Sequence, residues 1–388
     1  MTLPRRWFAI GDPQTTLEKV QAVLGHHRLL GGDGQLLPDV GLVSMGDHFD
    51  FGGTADIDRA ERRAAGLQGC RVLQWLTGHP QEQVRVLVGN HDLVRVQEFA
   101  RIDDGTFAGA QDAAAALSRL RGDERTEAEA AFRAVFPSIP TAGLASRDFS
   151  TFIEAQRVLV QRLLVEDRLD CAVSAHLNGK PCLLTHTGVT LRELSGLGLA
   201  EERSPEVLAR RINAWFRDRV AKVADAWSHG VQVALDLEPI HVPGQAPLEA
   251  GGWFAARPAN PDRPGIGDRA WEWAQDRPRR FDPRTLPGEL LQVVGHTRHT
   301  RLVKELAPWA NSDPAGASPH TLSSLTVDGG AVSYERGVAP MNPGAAVMVF
   351  TDIGLHEAPV EEAVLLELDG VGERYAETTL ARQRPTPP

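Results

Sequence analysis

Cysteine is scarce in this chain: three among 388 residues, Cys70, Cys171 and Cys182, odd in number, widely spaced and without a CxxC pair. That excludes a disulfide framework and a thiolate zinc site, and it fits a reducing compartment. Long apolar runs are missing too, and none approaches the roughly 20 residues of a membrane span. The opening MTLPRRWFAIGD holds no stretch that reads as a signal peptide. A cytoplasmic protein without membrane contact is therefore expected. Positive charge is in deficit, with a formal net charge of −10. Such a chain lacks the electrostatic footprint of broad nucleic-acid binding, although a local basic cleft for a nucleotide remains compatible. No internal repeat is evident. What is present is core material: 42% hydrophobic and 24% charged residues, the balance of a globular protein. The length allows one large domain with insertions, or two domains.

The front third alternates strand-like and helix-like segments. Apolar runs at Trp7–Ile10, Val40–Met45 and Val84–Val88 stop at Gly11-Asp12, Gly46-Asp47 and Gly89-Asn90. Between them, Thr15 and Glu18 have capping-box spacing at the start of a helix expected to reach about Leu30. A second helix is expected from about Ala55 to Leu76. Residues 107–136 read as one or two added helices, and Thr151–Arg168 as another. Asn178-Gly179 is a hairpin turn between Cys171–Leu177 and Pro181–Thr185, and the second strand ends at His186. Ser204-Pro205-Glu206 starts a helix whose stripe of Leu208, Ile212, Phe216, Val220, Val223 and Trp227 reads as core. Residues 239–288, with nine prolines and Trp253, Trp271 and Trp273, form a loop-rich insertion too long for a plain connection. Leu290–Val294 is a strand ending at Gly295-His296. Leu322–Val327, Ala331–Tyr334, Ala346–Phe350 and Val364–Leu368 follow as strands. A single domain over 1–381 is expected, with insertions at about 100–150 and 190–288, and a disordered tail at 382–388.

Five strand-end motifs carry the chemistry: GDPQ (11–14), GDHFD (46–50), GNHD (89–92), THTG (185–188) and GHT (295–297). In open α/β folds, ligands bind outside the carboxyl ends of the strands, so these polar endings should gather at one rim. Asp, Asn and His suit divalent metals, and one carboxylate can bridge two ions. Glycine before Asp12, Asp47, Asn90 and His296 allows a sharp turn there. Taken singly, Asp12 and Asp47 could be helix caps and Asn90 a turn residue. Five such endings in sequence make that reading improbable.

In order and spacing these motifs resemble the calcineurin-like metallophosphoesterase superfamily, closest to its bacterial phosphoprotein-phosphatase and diadenosine tetraphosphatase-like branch. The similarity runs from about Phe8 to His296 and extends to Asp352-Ile353-Gly354-Leu355. It implies a four-layer α/β/β/α sandwich of two mixed sheets. It also implies two divalent ions, manganese first, with iron, zinc or nickel as alternatives. Asp12 and Gln14 would bind the first ion. Asp47 would bridge. Asn90, His186 and His296 would complete the second. His91, oriented by Asp50, would protonate the leaving oxygen. The expected reaction is hydrolysis of a phosphate ester by a hydroxide held between the metals. The substrate would be a phosphorylated small molecule, nucleotide or phosphoprotein.

Three positions depart from the family pattern. Gln14 stands where a histidine is usual, which predicts a weaker first site preferring oxygen ligands. Phe51 stands where the branch has a phosphate-gripping arginine, and Arg257 in GGWFAARP is the candidate replacement. The last motif reads Gly-His-Thr-Arg-His, so Arg298 and His299 are further candidates for substrate binding. His48, beside Asp47, is a candidate support for that ligand. Alternative functions are a dinucleoside polyphosphate hydrolase, a phosphodiesterase, or a catalytically silent metal-binding scaffold.

Overall fold

The computed structural model describes residues 6–51, 58–117, 119–245, 248–262, 278–310 and 316–372. Trp271, Trp273 and the tail at 382–388 lie outside them. The fold is mixed α/β. The strands are β1 (Arg6–Ile10), β2 (Val40–Ser44), β3 (Val84–Val86), β4 (Ala172–Leu177), β5 (Lys180–Thr185), β6 (His241–Val242), β7 (Gly251–Gly252), β8 (Arg257–Pro258) and β9 (Arg280–Phe281). They continue with β10 (Leu291–Val294), β11 (Ser323–Asp328), β12 (Ala331–Arg336), β13 (Ala346–Phe350), β14 (Leu366–Leu368) and β15 (Gly370–Val371). The helices are α1 (Leu17–His26), α2 (Arg59–Gly78), α3 (Asn90–Leu93), α4 (Asp104–Leu117), α5 (Gly122–Val135), α6 (Glu154–Val165), α7 (Leu191–Gly196), α8 (Pro205–Ser228) and α9 (His299–Leu306).

Two mixed sheets form the frame. One has the order β14-β1-β2-β3, the other β12-β11-β13-β10-β5-β4-β15. β1, β2 and β3 run parallel, and so do β5, β10 and β13. These central strands are almost wholly buried (VGLVS, LQVV and AVMVF throughout), as strands covered on both faces must be. One hydrophobic cluster holds side chains of both sheets, including Leu42 and Val43 with Leu184, Val293 and Val347. The architecture is compatible with an α/β sandwich. A bridge between Leu87 and Asp170 ties the end of β3 to the lead-in of β4. The carboxyl ends of β2 and β5 therefore lie side by side, and Met45 at one accepts from His186 at the other at 2.8 Å. Among the described residues no helix is long and apolar enough to cross a membrane.

Several boundaries differ from those expected. The first helix is capped by Thr16, whose hydroxyl accepts from Lys19 N–H at 3.2 Å, one residue later than Thr15. It ends at His26 because Arg28 turns left-handed (φ 58°) and drops Leu29 into the core. The second helix begins after Asp58, which forms a reciprocal capping box with Glu61. The hairpin turn is as expected, with Asn178 at φ 52° and Gly179 at φ 71°. The α8 stripe from Leu208 to Trp227 is buried, and α8 packs on β4. Truncating one of its larger members to Ala should cost about 2–5 kcal/mol. Within 239–288 the described residues are not structureless. They make two short ladders, β6 with β7 and β8 with β9, and Trp253 is fully buried.

Candidate functional site

Each parallel strand delivers a polar residue just past its last hydrogen bond. Asp12 follows β1, Asp47 follows β2, Asn90 opens α3 after β3, His186 follows β5 and His296 follows β10. Two of the ligand candidates are themselves left-handed: Asp47 has φ 57° and His296 φ 65°. Positive φ in such residues is uncommon and is held only where surroundings over-determine it. Glycine at two motif positions answers to space rather than to turning. A Cβ at Gly89 would lie 2.2 Å from the Asp47 carboxylate, and one at Gly295 would lie 2.3 Å from that of Asp12.

Asp47, His186 and His296 come together, with one ligand atom of each within 4.8 Å of the others. His186 donates through Nδ1 to the Met45 carbonyl, which fixes its tautomer and turns Nε2 into the cluster. That Nε2 lies 3.4 Å from Asp47 Oδ2 and 3.1 Å from Asn90 Oδ1. Burial opposes a charge on this ring, but the Asp47 carboxylate outweighs it and raises the His186 pKa to about 10. Burial would likewise raise Asp47, yet His186 and His91 hold its carboxyl well below the usual range. The electrostatics thus favour a cation at His186 Nε2, where a metal would replace the proton. His296 Nε2 is buried and has no hydrogen-bond partner among the described residues. Burial, Arg257 and His186 together keep that imidazole neutral, its pKa well below the ordinary value. A neutral, orphaned nitrogen facing a carboxylate and a second imidazole fits a divalent ion.

A carboxylate behind the cluster fixes it. Asp92 accepts from the backbone N–H of Asp47 (3.1 Å), His48 (3.1 Å) and Gly89 (2.8 Å), joining the β2 and β3 ends. His48 lies 3.0 Å from Asp92 through Nδ1 and 2.9 Å from Ser44 Oγ through Nε2. Its support of Asp47 therefore runs through Asp92.

His91 and Asp50 form a second unit. His91 Nδ1 lies 2.9 Å from Asp50 Oδ2, and its Nε2 lies 3.9 Å from Asp47 Oδ2. Burial lowers the His91 pKa, but Asp47 and Asp50 reverse this and leave it raised. Asp50 has φ 68° and is itself pinned. Arg95 Nη1 approaches Oδ2 at 2.7 Å, and Thr151 donates its hydroxyl to Oδ1 at 2.8 Å. Against the cost of burial, Arg95 and His91 bring the Asp50 pKa down to about 2.

The first-metal candidates are arranged differently. Both Asp12 oxygens accept from His296 N–H, at 2.9 and 3.1 Å. Burial and the Asp352 carboxylate push the Asp12 carboxyl well above its usual range. Asp352 follows β13 as the other candidates follow their strands, and it too is buried. Its position was legible in the Thr-Asp that ends the strand Ala346–Phe350, but only the segment, not the carboxylate, stood out in the sequence. Arg95 and Thr151 carry no local signal, and Asp92 shows in the sequence only as the last residue of GNHD.

A cavity of about 960 Å³ opens on this rim, and Gln14, Asp50, Asn90, His91 and Arg257 line it. Arg257 Nε is buried without a hydrogen-bond partner among the described residues. The other two candidates, Arg298 and His299, do not line the cavity. Arg298 pairs with Glu357 at 2.9 Å and lies 3.7 Å from Asp352. His299 is buried in a second hydrophobic layer, where its ring stacks on Tyr334 and Nδ1 lies 2.7 Å from the phenol oxygen. The cause is that α9 begins at His299, so its first side chain faces the sheet. No family model matches this chain, and no curated protein or solved structure matches it.

Proposed function

We propose that this protein is a metal-dependent hydrolase of phosphate esters, built as a four-layer metallophosphoesterase sandwich. The observation that carries the reading is the buried, unpartnered His296 Nε2 beside Asp47 and His186, next to a carboxylate-held histidine. Asp47, Asn90, His186 and His296 would hold one divalent ion. Asp47, Asp12 and Gln14 would hold a second, whose oxygen-rich set suits manganese. Bound metal supplies Lewis-acid charge to a phosphoryl oxygen and makes a water acidic enough to attack at neutral pH.

The chain's own residues supply the rest. Asp50 takes His91 Nδ1, so Nε2 carries the transferable proton and faces the cavity. His91 then delivers that proton to the leaving oxygen. Arg95 and Thr151 hold Asp50 still, which keeps the donor in line. Arg257 is the cation available to grip the phosphate, in place of the arginine that Phe51 replaces.

The test is a panel of manganese, zinc, nickel and magnesium against an aryl phosphate, its diester, phosphopeptides and diadenosine tetraphosphate. Hydrolysis of at least one, abolished by Asp47→Asn, is the expected result. Bound metal with no hydrolysis of any would replace this reading with a metal-binding scaffold.

A further inference from the structure

The cavity has a second wall, of which the proposed chemistry uses only Arg257. β8 and β9 pair in parallel with Arg257 directly opposite Arg280, and Arg257 N–H donates to the Arg279 carbonyl at 3.2 Å. α9 packs against β8 and brings Arg301 to the same place. Four guanidinium groups, Arg257, Arg279, Arg280 and Arg301, thus converge on one side of the cavity. Like charges at paired strand positions repel, and gathering them away from water adds a desolvation cost.

Two carboxylates answer the four cations. Glu305 takes Arg280 at 2.9 and 3.2 Å and Arg301 at 2.8 Å. Glu249 pairs with Arg279. Arg257 keeps a buried Nε without a hydrogen-bond partner among the described residues. Arg147 also lines the cavity, but it is paired with its neighbour Asp148 at 2.7 Å and adds no net charge. Among the described residues, these four guanidinium groups therefore outnumber the two carboxylates that pair with them, and Glu98 is a further carboxylate on the cavity lining. Burial, Arg301 and Arg280 depress the Arg257 pKa, partly offset by Glu305 and Asp148. Planar guanidinium forks match phosphate oxygens two at a time. The cavity is also larger than a lone phosphate on the metals requires.

We propose that this wall is a second anion subsite, and that the substrate carries a second phosphoryl group bound by Arg279, Arg280 and Arg301 while the first lies at the strand ends. The inference rests on the phosphoesterase reading for which group is cleaved, but not for where the second group binds. The second phosphoryl belongs either to a phosphoanhydride chain or to a separate ester on one carbon skeleton.

The experiment has two arms. In the first, metal-loaded wild-type protein hydrolyses phenyl phosphate, inorganic tripolyphosphate and a sugar bisphosphate. We expect kcat/KM for one of the latter two to exceed that for phenyl phosphate by about tenfold or more, the worth of one charge-assisted hydrogen bond. Preference for tripolyphosphate assigns an anhydride chain, and preference for the bisphosphate a second ester. The double variant Arg279→Gln/Arg301→Gln should lower the preferred value by about tenfold more than that for phenyl phosphate, by the same bond energy. Arg301→Gln alone, at a half-exposed position, serves if the double variant does not fold.

The second arm needs no turnover. Calorimetric titration of tripolyphosphate into chelator-stripped Asp47→Asn protein should show binding that Arg301→Gln weakens severalfold. That result stands even if no phosphoester is hydrolysed, so a failure of the enzymatic reading is separable. Equal kcat/KM for all three substrates, or binding unmoved by Arg301→Gln, overturns the subsite.

Discussion

Two walls of one cavity are built by different means. At the strand ends, parallel β-strands set the positions of Asp47, Asn90, His186 and His296, and buried hydrogen bonds to Asp92 and to the Met45 carbonyl support them. On the other wall, two-residue strands and one helix turn bring arginines together, and salt bridges to Glu249 and Glu305 do the holding. The first wall concentrates acceptors around an orphaned nitrogen. The second concentrates donors around too few acceptors. Deep, rigid placement suits groups that must meet a reacting phosphorus within a fraction of an ångström. Half-exposed guanidinium groups suit the recognition of a charge that does not react.

This contrast can be broken by substitution. The largest effect is expected at Asp47, whose carboxylate lies 3.4 Å from His186 and 3.9 Å from His91. Asp47→Asn should lower kcat on the order of 10³-fold through lost charge stabilisation at the phosphoryl group, read by steady-state hydrolysis. Next comes His91→Asn, where loss of a general acid should cost about 10²–10⁴-fold while metal content stays unchanged by elemental analysis. Turnover left intact would remove His91 from the mechanism. Gly89→Ala would force a Cβ to within 2.2 Å of Asp47 Oδ1, so it should weaken metal binding and lower the unfolding midpoint together. The Arg301→Gln effect on the insertion wall should be smaller and confined to affinity. A Gly89→Ala protein with wild-type metal affinity would show that the strand-end wall is as pliable as the other.

The remaining expected effect is on stability rather than activity, as a pH slope. His241 lines the cavity, is 2% exposed, and burial pushes its pKa down to about 3. Its folded value is lower than its unfolded value near 6.5, so the unfolded chain binds the extra proton in between. Its contribution to stability is complete above about pH 6.5 and lost progressively toward pH 3, by about 1.4 kcal/mol per unit in the linear region. His241→Gln should flatten that acid-side loss in denaturant titrations at several pH values. An unchanged slope would mean that the ring takes up a proton in the folded state.

The same contrast explains what the sequence made legible. Each strand-end residue follows an apolar run and a punctuating glycine or threonine, so Asp12, Asp47, Asn90, His186 and His296 stood out one motif at a time. Asp50 and His91 stood out because they lie inside those motifs. Asp352 was half-visible, since its strand was expected but its carboxylate had no motif of its own. The arginine wall could not be read, because Arg257, Arg280 and Arg301 are brought together by tertiary packing across irregular chain. Arg257 alone attracted notice. His299 misled because spacing along the chain does not say which way the first residue of a helix faces. Boundaries slipped by one to four residues where a cap or a left-handed residue decided the matter, as at Thr16 and Arg28.

The central claim is that the strand-end cluster is a divalent-metal centre. It is tested most directly by titrating manganese into chelator-stripped wild-type protein and into His296→Gln, with folding checked by circular dichroism. The account predicts at least one saturable site in the wild type and a clear loss of affinity in the variant, because an imidazole nitrogen with no other partner has lost its ion. A wild-type protein that takes up no manganese, zinc or nickel, or a variant that binds as tightly as the wild type, would contradict it.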